Sequence, residues 1–238
     1  MASIKFSNVD LEFPVYDISS LSLRKQIITL ATGGLVSSQN GATKVSALKQ
    51  VNFEAKDGDS IGIIGHNGAG KTTLLRAMAG IYPPTSGEIE VVGRIGSVFE
   101  LGAGLDYEVD GKQNIINLLL LNGRSHEYAK ESLRSIVEFT ELGDFIDLPI
   151  RTYSSGMLLR LMFAVATIEM PEVFLLDEMF STGDANFQKK STQRIEEMMG
   201  ESSVFVFASH DMALLKKYCN RYFKMNHGEL IEVESCCE

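Results

Sequence analysis

Apolar positions in the first hundred residues fall into short extended runs. Ile4, Phe6, Val9, Leu11 and Phe13 alternate loosely with polar residues, which predicts edge strands over 4–13. A strand resumes over 48–53, Asp57-Gly58-Asp59 breaks it, and the unbroken apolar run at 60–64 reads as a buried strand. Between these lies a helical spacing over 19–32 (Leu23, Ile27, Ile28, Leu30). Ser19 or Ser20 caps it, Gly33-Gly34 ends it, and a polar loop over 37–43 follows. A helix is predicted over 71–79 and two short strands over 88–92 and 95–99. From 114 to 145 the period turns helical, with Leu118, Leu121, Tyr128, Leu133, Ile136 and Val137 in phase, and reads as a helical lobe inserted into an α/β framework. Then come a helix over 157–169, a buried strand over 173–176, a helix over 189–199 and a strand over 204–208. A helix over 212–218 and a strand pair over 222–225 and 230–233 follow, the pair turning at Asn226-His227-Gly228.

Composition narrows the class. At 238 residues the chain can bury a full core without disulfides. A net charge of −9 argues against bulk electrostatic coating of nucleic acid or anionic lipid, while leaving room for a local phosphate site. Three cysteines, two of them adjacent (Cys236, Cys237), have no metal-ligand spacing and read as reduced thiols of a cytosolic protein. No apolar run approaches the roughly 20 residues that span a bilayer. The first residues lack the layout of a signal peptide. Any membrane role is therefore expected to come through a partner.

One segment carries specific chemistry. Gly65-His66-Asn67-Gly68-Ala69-Gly70-Lys71-Thr72, with Thr73 behind it, matches G-x-x-x-x-G-K-[ST] between a buried strand and a helix. Glycines at 65, 68 and 70 let backbone amides curl around phosphate oxygens, and the helix N-terminus adds partial positive charge. Lys71 is placed to reach the β- and γ-phosphates of a nucleoside triphosphate, and the Thr72 hydroxyl to ligate Mg²⁺. The apolar run 173–176 ends in Asp177, a second anchor for Mg²⁺, and Glu178 follows as the candidate to orient or deprotonate the attacking water.

Tyr153-Ser154-Ser155-Gly156-Met157 resembles the signature of ATP-binding-cassette (ABC) ATPases, usually Leu-Ser-Gly-Gly-Gln; Ser154 and Gly156 match it. Ser209-His210-Asp211 lies where that family keeps its switch histidine, and Ser181-Thr182-Gly183-Asp184 where it keeps its dimer-contacting aspartate. The resemblance covers essentially the whole chain. It implies an α/β fold of the ABC nucleotide-binding type: a RecA-like phosphate-loop core with an antiparallel β subdomain and an inserted helical subdomain. It further implies one domain over 1–238. The β subdomain and first part of the core occupy 1–100, the helical subdomain with the signature 101–157, and the rest of the core 158–238. Roles follow by position. Lys71, Glu178 and His210 are catalytic, and residues 65–73 bind ATP. Ser154, Ser155, Gly156 and Asp184 complete the site of a second copy. Thr72 and Asp177 hold Mg²⁺ together with Glu100, which stands where most of the family has glutamine. Tyr16 is expected under the adenine ring, with Phe13 as its competitor. The remaining histidines, His66, His126 and His227, read as ordinary surface or loop residues.

The departures from the common signature, with Phe99-Glu100-Leu101-Gly102-Ala103-Gly104 and Gly183-Asp184-Ala185-Asn186-Phe187, look like the ATPase subunit of polysaccharide ABC exporters. Phe13-Pro14-Val15-Tyr16 followed by Ser22-Leu23-Arg24-Lys25 looks like the O-antigen branch. The resemblance implies a homodimer with shared sites, paired with a polysaccharide-export transmembrane subunit and peripheral on the cytoplasmic face of the bacterial inner membrane. That machine would export lipid-linked polysaccharide reached only through the membrane subunit. The lobe and the segment 100–110 are expected to receive that subunit's cytoplasmic helix. A teichoic acid exporter is the alternative. A soluble ABC ATPase of translation or DNA repair fits less well, since paired cassettes, coiled-coil inserts and a basic surface are missing, and no nucleic-acid partner is expected. With the last strand ending near 233, no carboxyl-terminal carbohydrate-binding domain is expected, and the polymer should be recognised without a cap-reading step by this chain.

Overall fold

The longest strand pairing joins the first strand of the chain to its third. In the computed structural model, which describes residues 1–15, 36–39, 42–99, 102–178 and 185–234, the chain packs as two compact units. The first comprises Met1–Ile95, Glu172–Met179 and Ser202–Glu238; the second comprises Gly96–Pro171 and Phe180–Glu201.

In the first unit, β1 (Ser3–Val15), β2 (Val36–Gln39), β3 (Ala42–Lys56) and β5 (Ser86–Val92) form an antiparallel sheet in the order β2-β3-β1-β5. β1 is therefore interior, not the edge strand its loose alternation suggests. The alternation is loose because the register shifts between Phe6 and Val9, around Asn8 at φ 48°. That bulge moves the buried phase from Ile4 and Phe6 to Val9 and Leu11, so four large apolar side chains stay on one face despite the odd spacing. The loop expected over 37–43 is another correction: Val36–Gln39 pairs with Ala42–Val45 as strand β2 against β3. The Asn40-Gly41 dipeptide between them is a hairpin signal that polar composition masked. The helix expected over 19–32 falls outside the described residues.

The same unit holds a mainly parallel sheet with the run β10-β9-β4-β8-β7, made of β4 (Ser60–Ile64), β7 (Val173–Asp177), β8 (Val204–Ala208), β9 (Arg221–Asn226) and β10 (Glu229–Val233). All five residues of β8 and the first four of β7 are buried, as a parallel strand covered on both faces requires. Helix α1 (Lys71–Met78) buries Leu74, Leu75 and Met78; α6 (Met212–Tyr218) buries Leu215. The chain passes to the second unit at β6 (Ile95–Ser97).

The second unit is helical: α2 (Gly111–Leu121), α3 (His126–Thr140), α4 (Ser155–Ala166) and α5 (Ala185–Glu201). Ile115, Leu119, Ala129, Ile136 and Leu161 share one apolar cluster with Leu142, Ile146, Ile150 and Tyr153 from the two 3-10 turns between α3 and α4. Among the described residues no helix is long and apolar enough to cross a membrane.

Candidate functional site

The strand β4 runs into the phosphate loop without a break, and two contacts dictate the loop's glycines. A Cβ on Gly65 would lie 2.5 Å from the carbonyl oxygen of Met225; on Gly70, at φ +116°, it would lie 2.6 Å from Met225 Cε and 2.9 Å from the Ala47 carbonyl. At Gly70 only glycine fits a left-handed conformation pressed against the Ala47 backbone, and at Gly65 the Met225 carbonyl leaves no room for a side chain. Gly70→Ala should therefore lower stability by about 1–3 kcal/mol and weaken ATP binding; melting curves with and without ATP check both, and an unchanged melting temperature would refute the constraint.

Gly70 is also the N-cap of α1, and no side chain caps that helix. Asp110, Ser125, Ser154 and Asp211 cap α2, α3, α4 and α6. The first amides of α1 thus keep their hydrogen-bonding capacity for an anion. Lys71 is buried at 7 % exposure, and its Nζ donates to the carbonyls of Gly65 (2.7 Å) and His66 (3.2 Å). The ammonium is thus held over the loop that would surround a phosphate.

Thr72 Oγ1 donates to Asp177 Oδ2 at 2.6 Å, which joins the end of β7 to the start of α1. A hydroxyl and a carboxylate so placed are two hard oxygen donors, suited to Mg²⁺ and unsuited to soft metals. Glu178, the next residue, sits at φ 59° with its amide donating to the Ala208 carbonyl (2.9 Å). A left-handed glutamate is strained by about 1–3 kcal/mol, and such strain persists where surrounding structure over-determines it. Its Oε1 lies 2.8 Å from His210 Nδ1. A carboxylate only accepts, so His210 Nδ1–H donates and Nε2 faces away as the free ring nitrogen. His210 itself stands on a tight turn after β8. The Ser209 amide donates to Ile63 O (3.2 Å), the Asp211 amide to Ser209 Oγ (3.0 Å), and Asp211 caps α6.

A cleft of about 560 Å³ is lined by Asn67, Gly68, Gly70, Lys71, Thr72, Thr73, Asp177 and Glu178, with Phe13, Val45 and Ala47 as its apolar wall; His210 reaches it only through Glu178. Phe13 is braced edge-on by Tyr82, ring centroids 5.2 Å apart. Val45 and Ala47 lie ahead of the strand expected over 48–53, because β3 starts earlier, at Ala42; their i, i+2 spacing ahead of Lys49 is the signal for that extension. His66 and His227 are in ring contact, centroids 5.1 Å apart, where the sequence offered no reason to pair them.

Ser154, Ser155 and Gly156 open α4 in the helical unit, all three exposed, with Ser154 Oγ accepting from the Met157 amide at 3.3 Å. Tyr16, Glu100 and Asp184 lie outside the described residues.

Known proteins bear on this geometry. Residues 48–181 match the family model of the ABC transporter. Over 233 residues, 98 % of either chain, the sequence is 54 % identical to the O-antigen export system ATP-binding protein RfbE of Yersinia enterocolitica. It is 36 % identical to the O-antigen export system ATP-binding protein RfbB of Klebsiella pneumoniae over 98 % of this chain and 93 % of that one. It is 34 % identical to the teichoic acids export ATP-binding protein TagH of Listeria monocytogenes serotype 4b over 99 % of this chain and 68 % of that one. Among solved structures, a dimeric ATP-binding cassette in a post-hydrolysis state, bound to ADP and Pi, superposes with a TM-score of 0.67 at 20 % identity over 97 % of both chains, which bears on the fold. The α/β cassette with its antiparallel and helical parts is thus the fold that the motifs implied. This chain belongs to the ABC transporter family, as a nucleotide-binding ATPase domain.

Proposed function

We propose that the chain is the ATP-hydrolysing subunit that powers export of lipid-linked O-antigen polysaccharide across the inner membrane, working as a homodimer with a separate transmembrane subunit. The observation that carries this reading is 54 % identity to an O-antigen export ATP-binding protein along 98 % of both chains. The teichoic acid exporter ATPase, at 34 % identity, is the more distant relative.

The residues divide the work as follows. The loop amides and Lys71 hold the β- and γ-phosphates, and Phe13 with Val45 and Ala47 supplies an apolar wall for the base; Tyr16 remains its proposed stacking partner. Thr72 and Asp177, with Glu100, would hold Mg²⁺, which neutralises charge on the phosphate oxygens when bound. Glu178 accepts the proton of the attacking water, and its bond to His210 holds the carboxylate in the direction of the cleft. Ser154, Ser155 and Gly156 of one copy, with Asp184, close over the nucleotide of the other. The helix N-terminus they open favours the γ-phosphate charge. In the helical unit Tyr107, Phe145 and Leu148 are 50, 53 and 43 % exposed, and this apolar surface supports the docking of a membrane subunit's cytoplasmic helix there. The chain would then sit on the cytoplasmic face of the membrane through that contact.

The test is genetic and chemical together. Removing the chain from its cell should abolish surface O-antigen while lipid-linked polymer accumulates inside. The wild-type chain should restore export and Lys71→Ala should not. Unchanged surface polymer after removal would refute the reading.

A further inference from the structure

Residues 151–156 lead into α4, and Tyr153 alone among them is buried; Arg151, Thr152, Ser154, Ser155 and Gly156 are all exposed. The three exposed residues that open the helix make little packing of their own. A Cβ built on Gly156 would find nothing nearer than Ser154 Oγ at 4.0 Å, and the Ser154 cap bond is long at 3.3 Å. Their direction is set by the residues on either side, Met157 and Leu158 packed on the core after them and the buried Tyr153 before them.

Tyr153 is anchored in a way its size does not require. Its ring joins the apolar cluster of the helical unit, and its hydroxyl donates to the Phe145 carbonyl at 2.7 Å. The Gly111 backbone at the N-terminus of α2 lies against the same hydroxyl. A Cβ on Gly111 would lie 2.5 Å from that hydroxyl and 2.7 Å from Ile146 Cδ1, so the first position of α2 is left bare where the hydroxyl sits. Burial, with the Asp110 and Asp147 carboxylates nearby, pushes the phenol up to about 12. The surrounding strap is cross-linked as well. The Ile150 amide donates to Val109 O (3.1 Å), the Arg151 amide to Tyr107 O (3.2 Å), and Arg151 pairs with Glu108 (2.6 Å). A buried hydroxyl is expensive unless paired, and a plain apolar side chain would fill the space without it.

We propose that Tyr153 is a positioning residue for ATP turnover: its hydroxyl, seated against Gly111, ties the backbone entering α4 to the Phe145 carbonyl, and so fixes where Ser154, Ser155 and Gly156 present their donors. This rests on the reading that those residues close over a second copy's nucleotide. Tyr153 touches no substrate. It acts with the strap contacts to limit pivoting of the signature turn at the start of α4, and small misplacements of such donors slow catalysis steeply.

The experiment uses the full chain and rates expressed per nucleotide-competent molecule, titrated with a fluorescent ATP analogue. Tyr153→Phe should lower kcat about tenfold with KM for ATP and analogue affinity unchanged, because the phosphate loop is untouched. Gly111→Ala, which pushes on the hydroxyl from its other side, should lower kcat in the same way and serves if Tyr153→Phe does not fold. Ser154→Ala is measured beside them. Loss of kcat in Ser154→Ala with wild-type kcat in Tyr153→Phe or Gly111→Ala overturns the positioning role and leaves the signature reading standing. Wild-type kcat in all of them overturns both. A second readout is alkaline stability. A phenol whose folded-state value is raised contributes stability below its ordinary value near 10, and that contribution is lost as pH rises through about 12. Wild type should therefore lose stability over that window more steeply than Tyr153→Phe, and parallel curves would mean that the hydroxyl is not held as described.

Discussion

Lys71→Ala should reduce ATP turnover to background. Lys71 Nζ is already over the phosphate loop, held by the carbonyls of Gly65 and His66 rather than by solvent. A bound triphosphate therefore meets an oriented cation at little further ordering cost. No other lysine or arginine lines the cleft among the described residues. Removing one preorganised charge-stabilising group commonly costs about 10²–10³ in rate, and here the same group also binds the ground state. Phosphate release from Mg-ATP by purified protein measures it, with a melting curve to establish that the variant folds. Turnover at the wild-type rate would remove the loop from the mechanism.

Glu178→Gln should separate binding from chemistry. The amide has the shape of the carboxylate, and its oxygen can still accept from His210 Nδ1, so the strained backbone at φ 59° need not move. It cannot take the proton of the attacking water, and losing a positioned base costs about 10²–10⁴ in rate. With binding intact and hydrolysis stalled, two copies should stay joined around ATP. Size exclusion should then show a dimer with ATP and a monomer with ADP. A monomer in ATP together with undiminished turnover would place the base elsewhere.

How far the sequence went depends on where information is local. The phosphate loop, β4, β7, β8 and α6 were legible because each is a short apolar run or a motif whose glycines, lysine and threonine are dictated by a ligand. The strand ending in Asp177 could be read from residue type and spacing. Less legible were features set by partners far along the chain. β1 reads as an edge because the Asn8 bulge scrambles its period, and the residues it pairs with lie 28 (Val15–Thr43) to 89 (Ser3–Val92) positions away in sequence. The strand β2 hid in polar composition, since Ser37, Ser38 and Gln39 have weak strand preference and only pairing with β3 holds them. In the site, Lys71, Thr72, Asp177, Glu178 and His210 could be named in advance, whereas the Glu178–His210 bond and the left-handed Glu178 could not. Nor could the Gly111 vacancy be foreseen, because the Tyr153 hydroxyl that fills it comes from another element.

The phosphate loop is clasped from outside by strands of widely separated origin. The Gly228 amide donates to Ala69 O, the Lys49 amide to Gly228 O, and the Met225 backbone and side chain close over Gly65 and Gly70. A ribosome releases the loop early and the β9–β10 hairpin much later. A partly made chain therefore carries every residue of the motif without the brace that shapes it. Full nucleotide affinity should therefore require that hairpin to be docked. Because a ligand stabilises only the state that binds it, cellular ATP would favour finished molecules over stalled or clipped ones and act as a thermodynamic proofreader of synthesis.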